Sequence, residues 1–157
     1  MKFIINAVGK SHDPAIKEAT DDYSNRIMNY FPINWNILPP PKKAGNLSDQ
    51  QLKKKESEVI LKTIQEEDFL VALDEKGKQL NSIEFAKFLQ ERANTGIKNI
   101  VFLIGGAYGL DETVLKRADY TLSLSNFTFP HQLVRLILAE QLYRACTIQR
   151  NEKYHHS

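Results

Sequence analysis

His131 and Arg135 stand four residues apart, directly behind the loop Ser125-Asn126-Phe127-Thr128-Phe129-Pro130. On a helix opened by Pro130, that spacing puts an imidazole and a guanidinium on one face. It also puts them at the helix end where free main-chain N–H groups favour anions. Such a pair can grip a phosphate, or move a proton while holding charge that develops on a base. The plainer reading is a cap-region histidine beside a surface arginine. The loop in front carries two phenylalanines and two hydroxyls, which can wall an aromatic base while main-chain groups read its edge. Equally, its phenylalanines can plug the core.

A second loop, Gly105-Gly106-Ala107-Tyr108-Gly109, ends the apolar run Ile100–Ile104. The spacing is not G-x-G-x-x-G and no Gly-Lys-Ser/Thr follows, so neither the dinucleotide fingerprint nor the phosphate-binding P-loop fits. A tight strand-to-helix turn explains it alone, yet paired glycines also let main chain approach a flat ligand. Tyr154-His155-His156 closes the chain as either a catalytic tail or a frayed end. Glu140 and Arg144 repeat the four-residue spacing and read as an ordinary helix ion pair. Lys42-Lys43 and Lys53-Lys54-Lys55 could contact phosphate but read first as solvated faces. Asp74-Glu75 could be general bases but read first as a turn. No nucleophile elbow, HExxH or Cys/His ligand pair is present.

The elements that must position these groups alternate. Strands are expected at Lys2–Val8, Ile33–Leu38, Phe69–Leu73, Ile100–Ile104 and Tyr120–Leu124, with Asp74–Lys78 turning the chain. Helices are expected from Asp13-Pro14, from Ser48, from Asn81 or Ser82 to near Gly96, from Asp111, and from Pro130 to about Ile148. Ile16, Ala19, Tyr23, Ile27 and Tyr30 give the first helix its apolar face; Leu52, Val59, Ile60 and Ile64 give the second its stripe. Phe85, Phe88 and Leu89 turn inward on the third. The last helix is apolar on more than one face, which predicts burial in its own domain and against a partner subunit. Strict alternation predicts an α/β fold with a mainly parallel sheet and helices on both faces. In such sheets ligands sit beyond the carboxyl ends of the strands, where both loops lie.

The 157 residues, read as one domain over 1–157, are 42% hydrophobic and 25% charged, as in an ordinary globular protein. No run reaches the ~20 apolar residues of a membrane span. The N-terminal apolar run reads as a strand rather than a signal peptide. The lone Cys146 excludes an internal disulfide and a cysteine-based zinc site, so a cytoplasmic protein without a metal is expected. A net charge of +2 neither demands nor excludes nucleic acid.

The order Ala-Val-Gly-Lys, Leu-Asp, Leu-Ile-Gly-Gly-Ala-Tyr-Gly-Leu, Leu-Ser-Asn-Phe-Thr-Phe-Pro-His-Gln-Leu-Val-Arg, Ala-Glu-Gln-Leu-Tyr-Arg-Ala and terminal Tyr-His resembles one family across essentially the whole chain. It is similar to the SPOUT-class enzymes called ribosomal RNA large subunit methyltransferase H. The resemblance implies an α/β trefoil knot, an exception to the rule against threading. It implies a homodimer using S-adenosylmethionine to methylate ring nitrogen 3 of a pseudouridine in large-subunit rRNA, on assembled ribosomes. By position, Leu73, Gly105 and the run Leu124, Ser125, Asn126, Phe127, Thr128 and Phe129 match cofactor contacts. His131 and Arg135 match residues near the target base, and Tyr154 and His155 match a tail that swings over the partner's site. His156 stands where the family usually has Lys or Arg. Two other readings remain: a non-catalytic ribosome-binding dimer, and an α/β enzyme on a small nucleotide.

Overall fold

The computed structural model describes residues 1–42 and 45–156. Five strands alternate with five helices: β1 (Lys2–Val8), α1 (Pro14–Ile27), β2 (Ile33–Leu38), α2 (Asp49–Lys62), β3 (Phe69–Gln79), α3 (Ser82–Asn94), β4 (Asn99–Ile104), α4 (Glu112–Arg117), β5 (Tyr120–Ser123) and α5 (His131–Gln149). The strands form one parallel sheet in the order β2-β1-β4-β3-β5. Parallel pairing needs crossovers, and the helices supply them on both faces.

β4 shows why the strands read as unbroken apolar runs. Ile100, Phe102 and Ile104 face a core built with Phe3, Ile5, Ile27, Phe85, Phe88, Leu138 and Leu142. Val101 and Leu103 face the other core, with Ile60, Leu70, Ala72, Leu110 and Val114. α1, α3 and α5 therefore cover one face, and α2 and α4 the other.

Local signals set most helix starts. Ser48 and Gln51 form a capping box on α2, and Asn81 and Glu84 form one on α3. Asp111 caps α4 by accepting from the Thr113 N–H. At α1, Asp13 and Pro14 occupy the expected positions, but the Asp13 side chain makes no cap bond. Its main-chain N–H instead donates to Gln132 Oε1 at 3.0 Å.

Three expectations change. Asp74–Lys78 is not a free turn: β3 runs on to Gln79, with a bulge between Leu73 and Lys78 that both align with Leu122 of β5. Gly77 permits it, because a Cβ there would sit 2.7 Å from the Thr121 carbonyl oxygen. Of the apolar face expected for α1, Ile27 is buried and Ile16, Ala19, Tyr23 and Tyr30 are half-buried, but Thr20 and Ser24 are buried as well, and Ser24 Oγ accepts from Trp35 Nε1 at 2.9 Å. On α2, Val59 is exposed and Ser57 is buried, its hydroxyl donating to the Lys53 carbonyl. Of the Lys42-Lys43 pair, Lys42 is exposed and Lys43 lies outside the described residues.

At the amino ends of β3 and β5 the sheet is bracketed by side chains. Asp119 Oδ2 accepts from the Leu70 N–H, and the Asp119 N–H donates to the Leu70 carbonyl, both at 2.8 Å. Arg117 Nη2 donates to the carbonyls of Gln65 and Asp68. The buried Asp68 carboxylate accepts from the Gln65 N–H and from Asn99 Nδ2.

Candidate active site

The opposite edge, where the strands end, is open. Leu73, Ile104 and Leu122 lie in register across β4, β3 and β5. They form the floor of a groove of about 780 Å³. One wall is the glycine turn Gly105–Leu110. Gly109, at φ +78°, closes it with its N–H donating to the Gly106 carbonyl at 3.0 Å. Gly105 has no room for a side chain: a Cβ would meet Leu110 Cδ2 at 2.9 Å and the Gly109 carbonyl carbon at 3.2 Å. The facing wall is the loop after β5. Leu124, Ser125, Phe127, Thr128 and Phe129 all line the groove, while Asn126 does not. Ser125 shapes that loop: its carbonyl accepts from the Ser123 hydroxyl, and its own hydroxyl accepts from the Phe127 N–H at 3.0 Å. Phe127 is 80% exposed, so it is no core plug.

His131 and Val134, on the first turn of α5, reach the groove from the third side. The β3 bulge brings Asp74, Glu75 and Lys76 to the rim, and α2 brings Lys53. Of these four, sequence reasoning weighed Asp74, Glu75 and Lys53 but read them first as a turn and a solvated face, and it did not single out Lys76. Nothing local marks Lys53 out from the exposed Lys54 and Lys55, and the bulge looks like a polar turn. Behind the glycine turn, Glu56 Oε1 accepts from the Gly106 N–H at 3.4 Å. Burial pushes the Glu56 carboxyl above its usual range, with the Gly106 bond and Lys53 acting the other way.

Arg135 does not line the groove, and it is not a surface arginine. It is 1% exposed and sits beneath the segment after β1. Its Nη1 donates to the Lys10 carbonyl at 2.8 Å and to His12 Nδ1 at 3.2 Å, while its buried Nε has no partner. Because a guanidinium only donates, His12 Nδ1 carries no proton here. Burial first, and the Arg135 charge second, lower the His12 pKa. The His12 ring stands edge-on to Trp35, 5.0 Å between centroids. Gly9 lets this segment pass: it has φ +134°, and a Cβ would lie 3.4 Å from Arg135 Nη2.

Tyr154 and His155 are also away from their own chain's groove. The Tyr154 hydroxyl donates to Glu140 Oε1 at 3.1 Å, and its ring packs on Tyr143. Burial, with the bonds to Tyr23 and Glu140, raises the Tyr154 pKa above the usual phenol range. Arg144 Nη1 donates to His155 Nδ1 at 3.3 Å, and Arg144 pairs with Glu140 as the spacing predicts. Among the described residues, no three His, Cys, Asp or Glu side chains converge as metal ligands would. Nor is any helix long and apolar enough to cross a membrane.

A family model described as a predicted SPOUT methyltransferase matches residues 1–155. The chain belongs to this family. Among relatives of this SPOUT chain, a ribosomal RNA large subunit methyltransferase H from Christiangramia forsetii is 48% identical over 149 residues, covering 95% of each chain. The protein of the same name from Parabacteroides distasonis is 46% identical over 156 residues, covering 99% of each. That from Trichlorobacter lovleyi is 44% identical, covering 99% of this chain and all of its own. A solved structure, a probable methylase family protein from Haemophilus influenzae, aligns with a TM-score of 0.53 at 15% identity. It covers 99% of this chain and 70% of its own, a likeness that speaks to the fold. A SPOUT methyltransferase needs a methyl donor, and the groove at the strand ends is the candidate place for it.

Proposed function

We propose that the protein methylates ring nitrogen 3 of a pseudouridine in large-subunit rRNA, on assembled ribosomes in the cytoplasm, with S-adenosylmethionine as donor. The observation that carries the reading is the convergence of Leu73, Gly105, Leu124, Ser125, Phe127, Thr128 and Phe129 on one groove, beside His131. The relatives' shared name supplies the rRNA.

When bound, S-adenosylmethionine supplies an electrophilic methyl group. The chain's own tasks are then to align the acceptor nitrogen and to take its proton. Leu73, Ile104 and Leu122 would hold the cofactor's apolar part away from water, and the main chain of the two loops would supply donors and acceptors to it. His131, exposed at the groove, takes or relays the proton. Arg135 acts through the Lys10–His12 segment it holds, as a positioning residue.

Two copies pair through α5, whose Leu133 is 37% exposed while Leu138, Ala139 and Leu142 are buried within the chain. Pairing sets Tyr154 and His155 of one copy over the groove of the other. The whole chain works as one unit, with the β5–α5 loop threaded as a trefoil knot, and its modest charge suffices because the ribosome supplies much of the contact surface.

The test is transfer of labelled methyl from S-adenosylmethionine to intact ribosomes, beside protein-free rRNA and free nucleosides. Label at a pseudouridine in ribosomes alone is expected. Label in free nucleosides would replace this reading with a small-nucleotide enzyme. No label in unmodified ribosomes from a folded protein would leave a binding dimer.

A further inference from the structure

Glu56 is a carboxylate with no evident reason to leave water. It is half-buried on α2, a helix whose only fully buried side chains are Ser57 and Ile60. None of the ion pairs among the described residues includes it. Its contact is instead with the glycine turn. The Gly106 N–H donates to Oε1, and a Cβ on Gly106 would lie 3.2 Å from Oε2 and 3.4 Å from Val8 Cγ1. A carboxylate and a strand residue thus close on the same peptide from two elements, and a Cβ there would have to push the carboxylate aside by a few tenths of an ångström.

We infer that Glu56 is a positioning residue for the cofactor groove: it fixes the Gly105–Gly106 peptide plane. The inference rests on the proposed cofactor reading. The peptide is trans, so its N–H and C=O point in opposite directions. Holding the N–H toward α2 turns the Gly105 carbonyl away from α2, which would leave it free to accept from a hydroxyl or amine of a bound cofactor. Both glycines line the groove, and Lys53, one turn before Glu56 on the same helix, lines it too. α2 therefore reaches the site twice, once with a side chain at the rim and once by steering main chain. Without an acceptor at position 56 the plane can rotate, because glycine resists rotation least of any residue.

The test uses Glu56→Gln, which keeps an oxygen acceptor, and Glu56→Ala, which does not. Binding of S-adenosylhomocysteine is measured by calorimetry without ribosomes, and the Gly106 amide resonance is followed by NMR alongside a thermal melt. Glu56→Ala is expected to shift that resonance and weaken binding roughly tenfold, one hydrogen bond's worth. Glu56→Gln is expected to stay within about twofold of the parent. Equal binding by Glu56→Ala overturns the assignment. So does a Glu56→Gln loss as large as that of Glu56→Ala, which would make charge rather than acceptor geometry the cause. So does a loss that only follows the unfolded fraction in the melt. Failure of the parent protein itself to bind S-adenosylhomocysteine would overturn the cofactor reading, and this inference with it.

Discussion

Replacing Gly77 by alanine should damage fold and site together. A Cβ at Gly77 would lie 2.7 Å from the Thr121 carbonyl oxygen and 2.8 Å from the carbonyl carbons of Thr121 and Leu122. All three atoms are main chain of β5, so no rotamer change relieves the overlap, and the two strands must part by about half an ångström or more to reach ordinary contact distance. Overpacking of this kind costs about 1–3 kcal/mol. The pairs beyond the bulge, Lys78 with Leu122 and Gln79 with Ser123, then weaken. Their loss adds about 1 kcal/mol. A total of roughly 2–4 kcal/mol in a chain of 157 residues lowers Tm by about 5–15 °C. Because Asp74, Glu75 and Lys76 line the groove from the same bulge, affinity for S-adenosylhomocysteine should fall as well, by at least about tenfold. Urea and thermal denaturation read the first effect and calorimetry the second. A Gly77→Ala protein that melts within about 2 °C of the parent and binds as tightly would refute the view that the bulge is pressed against β5.

Three further outcomes are expected. Phe127→Ala should change stability by less than about 0.5 kcal/mol, since the ring is 80% exposed, yet slow methyl transfer to ribosomes; equal turnover would remove the ring from substrate contact. Arg135→Ala should cost about 2–4 kcal/mol in urea denaturation, because it strips the Lys10 carbonyl of a charged donor and empties a buried stem. The lowered His12 pKa means that the unfolded chain binds that proton more tightly. The stability linked to His12 is therefore complete above its ordinary pKa of 6.5 and is lost as pH falls below it. His12→Gln should flatten that slope in urea midpoints compared between about pH 8 and about pH 5, and an unchanged slope would assign it to other groups.

The strands were legible wherever both faces are covered. Ile100–Ile104 and Phe69–Leu73 are apolar without a break because each residue meets one core or the other. What misled was polarity inside the fold. Asp74-Glu75-Lys76-Gly77-Lys78 has the composition of a turn, and its strand pairing depends on a neighbour, β5, that arrives more than 40 residues later. Thr20 and Ser24 lie outside the apolar residues expected to pack on α1, but Trp35 Nε1 gives Ser24 a partner in the interior. Within the site, the glycine turn and the Ser125–Phe129 loop could be picked out because each interrupts an apolar run. Lys53 and Glu56 could not, since their membership depends on where α2 passes the turn. Arg135 was expected either in the site beside His131 or on the surface, not in the interior, because an arginine rarely loses all its water. Its burial is set by the chain after β1, and no pattern near residue 135 records that.

The bracketing of the sheet's amino end gives the molecule a mechanical polarity. Asp68, Arg117 and Asp119 tie the entrances of β3 and β5 to each other and to Asn99 at the entrance of β4. At the exits the same three strands run into a glycine turn, a bulge and a serine-braced loop. Any adjustment of the groove walls is thus hinged at a fixed end, so the walls can move without the strands sliding in register. Slippage by one residue would exchange the two cores, and the clamp at the far end is what stands against it. The clamp and the candidate groove thus stand at opposite ends of the same three strands.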